Sequence, residues 1–132
     1  MFSFGAETDI RFEKEMQVKF PNVKVIHVYD PTLTLLHGPP RTNEKVRFYD
    51  IGIGSSYDTV NGMKLDTLEN LLRKHEIKKG SRKLLKMDVE GYEFEALSAT
   101  SEEVIREFDH ITMEIHCLSA DFPERYNPIK AL

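Results

Sequence analysis

Short apolar runs alternate with amphipathic stretches along the chain. Met1 to Phe4 form the first run, which stops at Gly5. From about Thr8 to Lys19, Phe12, Met16 and Phe20 recur at a spacing of four, which predicts a helix with one buried face. Pro21 and Asn22 end it. Val23 to Tyr29 is rich in β-branched residues and reads as a second strand. It closes at Asp30-Pro31, where proline keeps the preceding residue out of helical geometry. His37-Gly38-Pro39-Pro40 excludes regular helix or an inner strand and predicts a loop or broken helix. Val46 to Ile51 is the third predicted strand, followed by Gly52-Ile53-Gly54. Tyr57 to Lys64 reads as an irregular or hairpin segment with Asn61-Gly62 as its turn.

A helix is predicted next, with Asp66 and Glu69 as a capping box and Leu68, Leu71 and Leu72 as its apolar stripe. The fourth strand runs from Lys83 to Val89. Glu90-Gly91 then leads into a short helix with Phe94 and Leu97 inward. Thr100 and Glu103 make a second capping box, for a helix bearing Val104, Ile105 and Phe108. His110 to Leu118 is the fifth strand, and the Pro-interrupted tail 119–132 reads as loop. This alternation predicts an α/β fold, a mostly parallel sheet with helices on both faces. The core is expected over 1–118.

Composition narrows the classes of function. The 132 residues suit one domain, and the net charge of −4 argues against a nucleic-acid partner. The basic group Arg73, Lys74, Lys78, Lys79, Arg82, Lys83 and Lys86 is expected to be a solvated helix end and the turn after it. No apolar run is long enough to span a membrane, and no targeting signal is visible, which leaves the compartment open. A single cysteine, Cys117, excludes an internal disulfide and is expected to be buried and inert.

Acids and glycines collect where the predicted strands end. Gly5 follows the first strand and Asp30 the second. Asp50 and Gly52 end the third, Asp88, Glu90 and Gly91 follow the fourth, and Glu114 and His116 lie late in the fifth. In an open parallel sheet, ligands bind outside these carboxyl ends. Glycine there admits close backbone approach, and an acid after the second strand can accept bonds from both hydroxyls of a ribose. Gly5-Ala6-Glu7-Thr8-Asp9 lacks the full glycine pattern of a dinucleotide phosphate loop, which favours a nucleoside cofactor without phosphate.

Three stretches together resemble a known family. They are Ser3-Phe4-Gly5 with Glu7 and Asp9, then Val28-Tyr29-Asp30-Pro31-Thr32, then Leu85-Lys86-Met87-Asp88-Val89-Glu90-Gly91-Tyr92-Glu93. Glu114-Ile115-His116 is similar too. The resemblance is to the methyltransferase-domain family of methyltransferase-like animal proteins, related to the FkbM-type methyltransferases. It implies a Rossmann-like methyltransferase fold and S-adenosylmethionine as cofactor, with an unidentified acceptor such as a hydroxyl oxygen. By that resemblance Ser3, Phe4 and Gly5 line the methionine part, Asp30 binds the ribose, and residues from Asp50 to Gly54, with Gly52 among them, lie near the adenine. Asp88 and Glu90 face the cofactor's amino group or the acceptor. Glu114 and His116 face the acceptor, with His116 as general base.

Relative to that family the chain is expected to be cut short at both ends. Marginal stability, or a homodimer covering the open surfaces, is expected to follow. Three rivals stand beside this reading. One is a dehydrogenase, and another is a metal-assisted transferase using Asp88, Glu90, Glu114 and His116. The third is an inactive methyltransferase fold kept as a binding module. The preferred reading assigns no metal to the site.

Overall fold

The computed structural model describes residues 1–7, 9–32 and 43–116. The His37-Gly38-Pro39-Pro40 segment, Cys117, the start of the first helix at Thr8 and the tail 119–132 lie outside the described residues.

Five strands form one parallel sheet: β1 (Phe2–Phe4), β2 (Ile26–Tyr29), β3 (Val46–Tyr49), β7 (Leu84–Met87) and β8 (His110–Met113), in the order β3-β2-β1-β7-β8. Phe2 pairs with His27 on one side and Leu85 on the other, which makes β1 the innermost strand. Its residues and those of β2 are all buried, as expected for strands covered on both faces. A second sheet, β4-β6-β5, is built from β4 (Gly52–Ile53), β5 (Asp58–Val60) and β6 (Met63–Asp66). Its β5–β6 hairpin turns at Asn61 and Gly62, both at positive φ, as a two-residue hairpin turn requires.

Side chains alternate across the large sheet and feed two cores. Phe2, Phe4, Leu85 and Met87 pack with Leu68, Leu71 and Leu72 of helix α2 (Leu68–Arg73). The same cluster takes Ala96 and Leu97 of α3 (Glu93–Ser98) and Val104 of α4 (Glu102–Ile105). On the other face Val28, Ile26 and Val46 pack with Ala6, Ile10 and partly buried Met16, the last on α1 (Arg11–Lys19). Helices therefore cover both faces, and the α/β expectation holds.

Several local expectations need correction. The predicted apolar face of α1 is partly buried only at Met16: Phe12 is 41% and Phe20 53% exposed, whereas Glu13 is 1% exposed. Strand β1 presents Ser3 to this helix, and the Ser3 hydroxyl donates to Glu13 Oε1 at 2.5 Å, so the helix turns a carboxyl inward. The cap of α2 is Thr67, whose hydroxyl accepts from the Asn70 N–H at 3.2 Å. Asp66 still belongs to β6, and its carboxylate takes the Thr67 N–H, the Asn70 amide and the Lys74 ammonium. Ser101, not Thr100, caps α4, because the Thr100 hydroxyl donates back to the Ala96 carbonyl. The predicted third strand, Val46 to Ile51, ends at Tyr49, and the Gly52-Ile53 segment expected to follow it forms β4 of the other sheet.

Candidate active site

The first residue beyond the ends of β1, β2, β7 and β8 sits on one edge of the sheet and still joins its ladder. The N–H of Gly5 donates to Tyr29 at 3.0 Å, that of Asp30 to Tyr49 at 3.1 Å, that of Asp88 to Phe4 at 3.0 Å and that of Glu114 to Met87 at 2.9 Å. Strand order reverses between β1 and β7, the topological position where open α/β sheets hold ligands. A cavity of about 730 Å3 opens there, within the range of small-molecule sites. Gly5, Asp30, Gly52, Asp88, Glu90 and Glu114 all contribute to its wall. Gly52 arrives from the small sheet, where a Cβ would lie 2.9 Å from the Pro31 ring.

Four residues expected at the site do not line the cavity: Ser3, Phe4, Asp50 and His116, the last meeting it only through the acids Asp88, Glu90 and Glu114 that it approaches. Ser3 and Phe4 are fully buried and do not reach the cavity. Ser3 faces Glu13, and the Phe4 ring stacks on Tyr29 at 4.9 Å. Strand alternation sends both side chains into the two cores, and only the backbone turn at Gly5 meets the cavity. Asp50 is exposed and off the cavity wall, since the chain turns between β3 and β4 there.

Asp30 reaches the edge but is occupied. It is 2% exposed. Its Oδ2 accepts from the N–H groups of Ala6 at 2.9 Å and Glu7 at 2.5 Å, and its Oδ1 from the Thr32 N–H at 2.8 Å and hydroxyl at 2.6 Å. A carboxylate offers about four acceptor positions, and all are filled. As placed, Asp30 ties the loop after β1 to the turn after β2. A ribose diol would have to displace one of these donors, most readily the Thr32 hydroxyl.

His116 is the hub of the acidic edge. Its Nδ1 lies 2.8 Å from Glu93 Oε1. Its Nε2 lies 3.6 Å from Glu90 Oε2, 3.6 Å from Glu114 Oε1 and 3.8 Å from Asp88 Oδ1. The Glu93 hydrogen bond raises the His116 pKa above its ordinary value of 6.5, with the charges of Glu93, Glu90 and Glu114 adding to it. Ligand atoms of Asp88, Glu114 and His116 lie within 4.8 Å of one another. An imidazolium ring would offset part of the charge of these carboxylates, and the raised pKa favours that form.

Lys86 also belongs to this edge. Its ammonium donates to the Gly5 carbonyl and lies 3.4 Å from Asp88 Oδ2. Lys86 thus bridges the loops after β1 and β7. Glu90 (φ 51°) and Gly91 (φ 99°) are both left-handed, so the loop after β7 turns sharply under the cavity. Sequence reasoning gave Glu93 no role and put Lys86 in a solvated helix end, whereas Lys86 lies on β7 with a side chain only 15% exposed. Both lie inside the K-x-D-x-E-G-x-E stretch, which was the available signal.

A parallel α/β sheet with a cavity at its switch point, lined in part by Asp30, Asp88, Glu90 and Glu114, is a Rossmann-like architecture. The family model of the methyltransferase FkbM domain matches residues 21–127, and the chain belongs to that family. No curated protein and no solved structure matches the chain. No helix among the described residues is long and apolar enough to cross a membrane.

Proposed function

We propose that this chain binds S-adenosylmethionine in the edge cavity and transfers its methyl group to an acceptor hydroxyl, with His116 Nε2 taking the hydroxyl proton. The observation that carries the reading is the edge itself. A cavity at the switch point of a methyltransferase-family fold is bordered by Asp88, Glu90 and Glu114, and the His116 imidazole, itself off the cavity lining, brings Nε2 within 3.6–3.8 Å of all three.

The residues present suit that cofactor. It carries a positive sulfonium and a positive amino group, and these three carboxylates give the cavity a negative rim. Ile53, Met63 and Leu65 supply apolar wall for a base. When bound, the cofactor supplies an electrophilic methyl group on positive sulfur. Asp88 and Glu90 hold the cationic end by charge. His116 acts only when neutral, so its raised pKa makes it a stronger base that is available at higher pH.

Calorimetric titration with S-adenosylhomocysteine and with NAD tests the reading. Saturable binding of the first and none of the second is expected. Binding of NAD alone would support the dehydrogenase instead. Methyl transfer that needs an added divalent ion would move the mechanism to a metal-assisted one.

A further inference from the structure

We propose that Glu93 is the positioning residue of the reaction, fixing the tautomer and ring orientation of His116 from beneath the cavity. The inference rests on the reading in which His116 accepts the acceptor's proton. Glu93 stands in the first turn of α3, where a glutamate ordinarily faces water, yet it is fully buried. A buried carboxylate is tolerated only with partners, and Glu93 has three. Its Oε1 accepts from the Val89 N–H at 3.1 Å and lies 2.8 Å from His116 Nδ1, and its Oε2 accepts from the Gly91 N–H at 3.0 Å.

The chemistry follows from which ring nitrogen carries the proton. A neutral imidazole has one N–H and one lone pair. Around Nε2 stand the carboxylates of Asp88 and Glu90 from the loop after β7 and of Glu114 from the end of β8. Lys86 on β7 offsets part of the Asp88 charge. Left alone, these carboxylates would draw the ring proton to Nε2, where it would block proton uptake. Glu93 competes from the opposite side at a shorter distance. It holds the proton on Nδ1 and leaves the Nε2 lone pair toward the carboxylate rim. Through Val89 and Gly91 the same carboxylate fixes the loop that carries Asp88 and Glu90, so base and acidic rim share one anchor.

The test is 15N NMR of the His116 ring with steady-state kinetics, in the full chain and in Glu93→Gln. In the unsubstituted protein the neutral ring should be the Nδ1–H tautomer, titrating above 6.5. In Glu93→Gln the midpoint should fall and the Nε2–H form should grow. The kcat should drop about tenfold or more, as expected when a general base loses its orientation, while the KM for the cofactor changes less than about threefold. A neutral Nε2–H ring in the unsubstituted protein overturns the proposal without any variant, which covers a Glu93→Gln chain that fails to fold. Unchanged tautomer and kcat in a folded Glu93→Gln overturn it as well. Should the Nδ1–H tautomer be found while no methyl transfer occurs, the positioning geometry stands and the proposed activity falls.

Discussion

A methyl group placed on Gly5 would lie 1.6 Å from the carbonyl oxygen of Asp88. The loop after β1 therefore presses directly on the loop after β7, and Gly5 also sits at φ +72°. Gly5→Ala is expected to unfold the edge or destabilise the chain by more than about 3 kcal/mol, since a backbone atom cannot move aside as a side chain can. Gly62→Ala is the control. It shares the left-handed backbone at φ +81° but meets nothing within 4 Å, so about 1–2 kcal/mol is expected. Urea unfolding of both variants checks the difference.

Asp30 is saturated by four donors, so its removal strikes the fold as well as any ligand. Asp30→Ala should cost about 2–4 kcal/mol, because charge-assisted bonds are lost and buried N–H groups are left unpaired. Asp50→Ala, at an exposed position off the cavity, should stay within about 0.5 kcal/mol. Thermal unfolding beside S-adenosylhomocysteine titration would separate the two roles. If Asp30→Ala is as stable as the parent, the loop-tying role is wrong.

The buried pair of Ser3 and Glu13 makes a non-additive prediction. Among the described residues Glu13 Oε2 is buried with no hydrogen-bond partner, and the Ser3 hydroxyl is the one anchor they give the carboxyl. Ser3→Ala should destabilise by about 1–3 kcal/mol. Adding Glu13→Leu should recover much of the loss, because both polar groups are then gone. A double variant no more stable than Ser3→Ala would count against this.

Acid should weaken the fold through His27. The residue is 5% exposed, its ring meets that of His75 at 3.8 Å between centroids in a tilted contact, and Nδ1 lies 3.0 Å from the Tyr49 hydroxyl. Burial, then the charges of His75, the chain's amino terminus and Arg47, lower its pKa from 6.5 to about 3. The folded state thus binds fewer protons than the unfolded one. The stability is complete above 6.5 and is lost as pH falls toward about 3. Unfolding midpoints at several pH values should decline across that window, less steeply in His27→Gln. A parallel decline in both proteins would remove His27 as the cause.

The methyl-transfer rate should rise with pH through a midpoint above 6.5, the side to which His116 is shifted. Glu114→Gln and Glu90→Gln each remove a neighbouring negative charge, so each should move that midpoint down by a few tenths of a pH unit. The kcat profile of the three proteins is the measurement. A midpoint that stays fixed would show another group to be the base.

Much of this edge was legible in the sequence, because it depends on where strands stop. Gly5 and Asp30 follow strand ends that apolar runs reveal, Asp88 was expected at the end of the fourth, and the K-x-D-x-E-G-x-E stretch pointed to the right family. Glu114 was expected inside a strand running to Leu118, whereas β8 stops at Met113. The orientation of α1 was not legible. Phe12, Met16 and Phe20 form a proper stripe, but the buried side is set by Ser3, a residue of another element. The burden on Asp30 was hidden for the same reason, since its donors come from Ala6 and Glu7 across the sheet. The caps were misplaced by one residue because Asp66 and Thr100 were already committed to other partners.

The central place of β1 has a kinetic consequence. Its right-hand neighbour is β7, and the Lys86 bond to Gly5 spans 81 positions of chain. Closing so long a loop costs entropy before any contact repays it. During synthesis, β1, β2 and β3 leave the ribosome well before β7 exists, so one flank of β1 must wait with its N–H and C=O groups unpaired. The acidic rim cannot form until that flank is filled. Slow refolding is therefore expected, with the ligand cavity among the last parts of the molecule to acquire its shape.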